Sequence, residues 1–463
     1  MKRTFLPACN LPDGSRFCAS YLYEGYGNCF LLNQETGSSL CGDATIAQML
    51  TDSTPNEALK FRLIQRGFIS RPDQIACSYT EPIRPQFFIF DLTQACNFRC
   101  IYCFRHLETA AETISQENLI AITEYIIRYC QKYNIQSPCI QPWGGEPLIA
   151  FDRILLMDDL FRKHGLTPLI SIETNAGLIT EEIAQEAAAR NIRLGISIDG
   201  HALVHNYQRP KFGGHDSFDD MRRGVEIISK YDQLKNFGVV SVLTSYGFPH
   251  LDEILEFFAT ELHVRCFKLN LIKDNPVMQD KGLCLTEAQI TEAQQILVRK
   301  LVELNRRGYA ITELNVQEKL LNLLIRGKSN ICTSRGCMGG VKMIAFDQEG
   351  RIYPCDITDY KEEAIGSIYD HEDLVDLLQQ ARPTREFFTS KRDVRCDDCP
   401  VFFYCKGGCT TAIKYMKGRI DGIDMQECAA NRALYPALIE LILSNPEMIE
   451  PLTRGNVRIN SSL

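Results

Sequence analysis

Three cysteines stand close together in Cys96-Asn97-Phe98-Arg99-Cys100-Ile101-Tyr102-Cys103, a C-x3-C-x2-C pattern directly behind an apolar strand candidate, Phe87–Leu92. Three thiolates on one tight loop hold three irons of a [4Fe–4S] cube and leave the fourth open. A cluster used only for electron transfer takes four cysteines. An open iron is what a chelating substrate needs. The competing readings are a zinc site completed by a distant fourth ligand and packed thiols without metal. A second strand candidate, Cys139–Trp143, runs into Trp143-Gly144-Gly145-Glu146-Pro147-Leu148. Glycines there let backbone approach a ligand closely, although such a segment by itself is most often a turn. Two further strand candidates end in Glu173-Thr174-Asn175 and Ser197-Ile198-Asp199-Gly200, the latter followed by His205-Asn206-Tyr207-Gln208-Arg209.

Eight more cysteines crowd the C-terminal part: Cys332, Cys337, Cys355, Cys396, Cys399, Cys405, Cys409 and Cys428. Eight thiolates make two sets of four, the number that two fully ligated [4Fe–4S] clusters require. Zinc ribbons also use paired cysteines, but their pairs stand a dozen or more residues apart. The five residues between Cys399 and Cys405 are too few for that pattern. Of the remaining cysteines, Cys130, Cys139 and Cys266 read as small buried hydrophobes. Cys9, Cys18, Cys29, Cys41 and Cys77 fit no metal spacing.

The elements that must position these groups follow from length and pattern. A chain of 463 residues, 45% hydrophobic and 23% charged, predicts two or three domains. A net charge of −8 without a Lys/Arg-rich run excludes binding to nucleic acid or anionic membrane through excess positive charge. No run approaches the length of a membrane span. Met1-Lys2-Arg3-Thr4-Phe5-Leu6-Pro7 has no apolar run behind its basic residues, so no signal peptide and a cytoplasmic location are expected. Twenty cysteines among reduced thiols then point to metal or catalysis rather than disulfides.

Within residues 1–84, Ser20–Glu24 and Cys29–Asn33 read as strands around a turn at Tyr26-Gly27-Asn28. Ala44–Leu50 and Pro55–Arg66 read as helices, with Gly67 ending the second before an extended Phe68-Ile69-Ser70. Together they suggest a small winged-helix-like module, joined on by Pro82-Ile83-Arg84-Pro85. Strands and helices then alternate. The strand candidates continue with Leu169–Thr174, Leu194–Ile198, Val239–Leu243 and Phe267–Ile272. Ser217-Phe218-Asp219-Asp220 reads as a capping box. Six βα repeats imply a parallel sheet, open rather than closed, with its active groups at the C-terminal strand ends. Helices near Thr286–Arg307 and Asn315–Arg326 lead to the cysteine-rich region, and Pro436–Leu443 reads as a closing helix with proline in its first turn. The fold expected is α/β: a partial (β/α)6 barrel of TIM type over residues 85–285, with a winged-helix-like α+β module at 1–84. Bridging helices at 286–330, a cysteine-rich domain at 331–430 and a C-terminal helix and tail at 431–463 complete it.

The C-x3-C-x2-C motif with Tyr102 before its last cysteine resembles the signature of the radical S-adenosylmethionine (SAM) superfamily. The resemblance implies that SAM chelates the open iron and is cleaved to a 5′-deoxyadenosyl radical. It also implies SAM contacts from Tyr102, Gly144, Gly145, Glu146, Thr174, Asn175, Ser197 and Arg209. The C-terminal spacing resembles the SPASM domain of radical SAM maturases. That likeness assigns Cys332, Cys337, Cys355 and Cys409 to an inner cluster and Cys396, Cys399, Cys405 and Cys428 to an outer one, making three [4Fe–4S] clusters with the first. Over roughly residues 86 to 440 the chain is similar to anaerobic sulfatase-maturing enzymes, through Gly-Gly-Glu-Pro, Ser197-Ile198-Asp199-Gly200, Tyr353-Pro354-Cys355-Asp356 and Cys405-Lys406-Gly407-Gly408-Cys409. In that family the aspartate after the inner-cluster cysteine takes a substrate proton, which makes Asp356 the candidate base; a structural hydrogen-bond acceptor is the competing reading.

Two features depart from the family: Trp143, where those enzymes tend to carry Gln, and residues 1–84, which have no counterpart there. The added module resembles the precursor-recognition element of enzymes that modify ribosomally made peptides. The reading implied is a maturase that oxidatively crosslinks a precursor peptide, with a flavodoxin- or ferredoxin-like electron donor and no nucleic-acid or membrane partner. Formylglycine formation on a sulfatase is the alternative within the same machinery. A non-catalytic iron–sulfur binding or redox-carrier protein is the alternative outside it.

Overall fold

The computed structural model describes residues 1–11, 13–52, 55–70, 82–103, 105, 113–325, 337–355, 364–370, 372–381, 393–417 and 422–459. Cys332 and Asp356 lie outside the described residues. The chain divides into two units, one of Met1–Thr80, Thr286–Cys337 and Phe388–Leu463, the other of Glu81–Leu285 and Met338–Phe387.

In the first unit, β1 (Lys2–Leu6), β4 (Ser20–Gly25), β5 (Asn28–Asn33) and β6 (Ser39–Asp43) form an antiparallel sheet in that order. β2 (Cys9–Asn10), β3 (Arg16–Phe17) and β7 (Ile69–Ser70) form a second, smaller one. Tyr26 and Gly27, with φ of 57° and 77°, close the β4–β5 hairpin as the two left-handed residues its twist demands. Side chains alternate across the larger sheet. Leu22, Leu31 and Leu40 pack against Ala47, Leu50, Leu59 and Leu63 of two short helices. Those helices are Ala44–Thr51, capped by Asp43, and Glu57–Gln65, capped by Asn56. The alternate residues Tyr21, Tyr23, Phe30 and Leu32 are buried as well, and the helix Met425–Ser444 lies against β4 and β5. That helix corrects the sequence reading. It starts eleven residues before Pro436 and carries the proline in its interior. Dense packing, with Leu434, Tyr435, Leu438 and Ile439 all buried, offsets the hydrogen bond the ring removes.

The second unit is built on β8 (Phe87–Thr93), β9 (Cys139–Gly144), β10 (Leu169–Thr174), β11 (Arg193–Ser197), β12 (Gly238–Leu243) and β13 (Cys266–Leu271), adjacent in chain order and paired in parallel. All six expected strands are present, with their helices between them. The sheet continues past β8, where Met343–Phe346 adds in parallel and then Arg351–Tyr353 and Gly366–Ser367 in antiparallel fashion. No strand was expected there.

Ser217 is another correction. It precedes the helix Phe218–Ile228 but makes no side-chain cap. Its hydroxyl donates to the Arg209 carbonyl, while Asn206 Oδ1 accepts from the backbone of Ser217 and Phe218. Of the cysteines read as core, Cys130 is fully buried, whereas Cys139 and Cys266 open their strands and stay partly exposed. Among the described residues no helix is long and apolar enough to cross a membrane.

Candidate active site and metal centres

The loop leaving β8 carries Cys96, Cys100 and Cys103 with their thiols close enough to disfavour one another's ionisation. Burial pushes the Cys96 and Cys100 thiols up to about 12 and that of Cys103 upward too. Three soft sulfur donors on one loop fit an iron–sulfur cluster with one open iron.

Gly144 and Gly145 close over this loop. The Gly145 N–H donates to the Thr93 carbonyl at 2.7 Å, and the Glu146 N–H to the Ala95 carbonyl at 2.9 Å. A Cβ on Gly145 would fall 2.1 Å from the Ala95 oxygen, and one on Gly144, at φ 139°, would fall 2.3 Å from the Thr93 oxygen. The backbone these glycines approach is therefore that of the cysteine loop itself. Glu146 is 1% exposed, and its carboxylate accepts from the Thr174 hydroxyl (2.6 Å), the Asn175 N–H (2.8 Å) and the Leu148 N–H (3.1 Å). Asn175 Nδ2 donates to Asn97 Oδ1 at 2.8 Å and sits 3.9 Å from Cys96 Sγ. Glu146, Thr174 and Asn175 thus form one network that reaches the first cysteine.

Tyr102 and Arg209 meet at a residue absent from the predicted site, Asp199. Its buried carboxylate accepts from the Tyr102 hydroxyl (2.7 Å), Gln208 Nε2 (2.8 Å), the Val242 N–H (2.9 Å) and Arg209 Nη2 (3.1 Å). The Arg209 guanidinium lies over the Tyr102 ring, 5.4 Å from its centroid. Burial alone would raise the Asp199 pKa, but the Arg209 charge outweighs it and holds the carboxyl below its ordinary value. Ser197 ends β11 half-buried. The signal for Asp199 was in the sequence, a carboxylate at a strand end before glycine.

A cavity of about 240 Å³ opens beside these strand ends, lined among others by Asp91, Gln94, Arg105, Trp143, Tyr353 and Cys355. Arg105 pairs with Asp91 at 2.5 Å, and Gln94 Nε2 donates to the same carboxylate at 2.8 Å. The Trp143 indole N–H is buried without a hydrogen-bond partner.

Residues 90–259 match the model of the radical SAM superfamily. Those residues are a radical SAM domain. The chain is 26% identical over 331 residues to the cysteine-type anaerobic sulfatase-maturating enzyme of Clostridium perfringens (strain 13 / Type A), covering 68% of this chain and 86% of that one. The structure of native anSMEcpe with bound AdoMet and the Cp18Cys peptide superposes with a TM-score of 0.66 at 21% identity, covering 77% of this chain and 99% of that chain. SuiB of Streptococcus suis bound to its precursor peptide SuiA gives a TM-score of 0.53 at 13% identity, covering 92% and 99%. The two structural likenesses show the fold.

Beyond this domain the later cysteines gather locally. Within the first unit, Cys396, Cys399 and Cys428 pack with Phe402 and Ile423. Cys405, pushed up to about 12 by burial, is close enough to Cys399 to feel its charge. Lys406, Gly407 and Gly408, at φ 50°, 91° and 84°, turn the chain sharply between Cys405 and Cys409. The Asp424 N–H donates to the Gly407 carbonyl, and its side chain caps the helix whose first turn presents Cys428. Cys337 and Cys409 belong to the first unit and Cys355 to the second.

Proposed function

We propose that this radical SAM enzyme is a SPASM-type maturase that oxidatively modifies a ribosomally made peptide, forming a thioether or carbon–carbon crosslink. The observation that carries this reading is the cavity that puts Trp143 and the Asp91–Arg105 pair of the strand ends in one space with Cys355. A peptide side chain in that space lies between the first cysteine loop and an auxiliary-cluster ligand. Cys96, Cys100 and Cys103 hold the first cluster; Cys332, Cys337, Cys355 and Cys409 the inner auxiliary cluster; and Cys396, Cys399, Cys405 and Cys428 the outer one. When bound, the first cluster and SAM supply the 5′-deoxyadenosyl radical that abstracts hydrogen. The chain's own residues orient and exclude water. Arg209, fixed by Asp199 and Tyr102, offers a cation to the SAM carboxylate. Gly144, Gly145, Glu146, Thr174, Asn175 and Ser197 shape the remaining contacts, and Asp356 takes the substrate proton. The N-terminal residues act as the winged-helix-like docking module, and a leader peptide adds to a sheet edge. A flavodoxin- or ferredoxin-like protein delivers electrons.

The likeness to the Clostridium perfringens enzyme, over 86% of its length, favours a second reading, formylglycine formation on a sulfatase. The intact mass and the hydrazide reactivity of a candidate peptide, after anaerobic incubation with SAM and reductant, together separate the two, because an aldehyde made from Ser loses the same hydrogens as a crosslink. A loss of hydrogens that requires Cys96, Cys100 and Cys103 and leaves no hydrazide-reactive aldehyde supports crosslinking. Conversion of one Cys or Ser to an aldehyde supports the second reading, and an unchanged mass with every peptide and sulfatase sequence tried would sink both.

A further inference from the structure

We propose that His201, His250 and Glu253 form a site for a borderline divalent cation of the zinc class, separate from the cysteine clusters. His201 follows Gly200 at the end of β11 and stands at the N-cap of the helix Ala202–Gln208. His250 closes a short turn after β12, and Glu253 lies in the first turn of the helix Leu251–Thr260. His201 Nε2 is 3.3 Å and His250 Nδ1 3.2 Å from the same oxygen, Glu253 Oε2, and one ligand atom from each residue lies within 4.8 Å of the others. The two rings are perpendicular, at 89° with centroids 5.7 Å apart.

A helix-start pairing of His250 with Glu253 explains only half of this. It does not account for His201, which comes from the preceding strand end, nor for its Nε2, which is shielded from solvent without a well-aligned hydrogen bond. Two imidazole nitrogens and a carboxylate oxygen make the donor set of a three-ligand zinc site with one position open. The absence of thiolate in this set sets it apart from the clusters' ligands. Glu253 is exposed and provides the entry path. A cation here ties the loop after β11 to the loop after β12. Those are the strands that Asp199 also joins through the Val242 N–H, so the ion braces the Asp199–Arg209 pair from behind.

The test uses iron-reconstituted holoenzyme, equilibrated anaerobically with zinc chloride, dialysed, and measured for zinc and iron per chain and by zinc-edge X-ray absorption. The expected result is about one retained zinc with only N/O neighbours at about 2.0–2.1 Å. Glu253→Gln, which keeps shape at an exposed position, and His250→Ala should each weaken retention at least about tenfold without changing iron content or circular dichroism. A sulfur shell near 2.3 Å, no retained zinc, or equal zinc in both variants overturns the proposal.

Discussion

The Tyr21 hydroxyl donates to the Asp398 carbonyl at 2.6 Å, tying β4 to the residue before Cys399. Gln34 Nε2 donates to the carbonyls of Asp397 (3.0 Å) and Cys399 (3.4 Å), and the Tyr404 hydroxyl to that of Gly37. Gly37, at φ 66°, leaves no room for a Cβ, which would fall 2.2 Å from the Phe403 ring. The N-terminal sheet is therefore part of the wall that shapes the Cys396–Cys405 loop.

Deleting residues 1–80 should consequently remove more than a docking surface. We expect the truncated enzyme to lose about four irons per chain, the content of one cluster. Tyr21→Phe with Gln34→Ala, which removes hydrogen bonds worth about 0.5–1.5 kcal/mol each, should keep the iron but release it several-fold faster to a chelator. Full iron retention by the truncated chain refutes the coupling.

Gly145→Ala places a methyl against the Ala95 carbonyl beside Cys96. The loop must move, and displacements near 1 Å in a catalytic constellation cost on the order of 10²-fold. Deoxyadenosine release should fall by that order. Release within twofold of the parent enzyme would show that the loop yields harmlessly.

Asp199→Asn leaves the buried Arg209 without its counter-charge, a change that costs about 3–5 kcal/mol in comparable pairs. The Asp199 carboxyl is held below its ordinary value, so its stabilisation is present above an unfolded pKa of about 3.9 and disappears as pH falls through the folded one. Denaturant midpoints at pH 7 should drop for the variant and recover in part with Asp199→Leu/Arg209→Met. An unshifted midpoint for Asp199→Asn excludes a structural role for the charge.

His205 is fully buried, and neither ring nitrogen has a hydrogen-bond partner. Burial first, then the Arg209 charge, pushes its pKa down to about 3. Below an unfolded value of about 6.5 the unfolded chain binds the proton more tightly, so this group removes stability as pH drops from about 6.5 towards 3. One pH unit in that window is worth about 1.4 kcal/mol. His205→Phe should flatten the slope between pH 5.5 and 4.5 by about that amount in paired denaturation curves; identical slopes would count against the assignment.

What the sequence determined by itself is the local part. Six apolar runs separated by helical patterns identified β8 to β13, because alternation of strand and crossover helix constrains a parallel sheet before any contact is known. That Cys96, Cys100 and Cys103 share one loop was equally legible, since side chains so near in the chain are held together by its length alone. The tertiary structure decided the rest. Met343–Phe346 joins β8 because a four-residue apolar run carries no address for its partner strand, and only the exposed edge of a formed sheet supplies one. Ser217 gives its hydroxyl to the Arg209 carbonyl rather than to its helix because tertiary packing brings that acceptor beside it, as it brings Asn206 to the amides of Ser217 and Phe218. Asp199 became the hub of Tyr102, Gln208 and Arg209 for the same reason. Hydrogen bonds between strand ends depend on which strands lie side by side, and that is a property of the folded sheet.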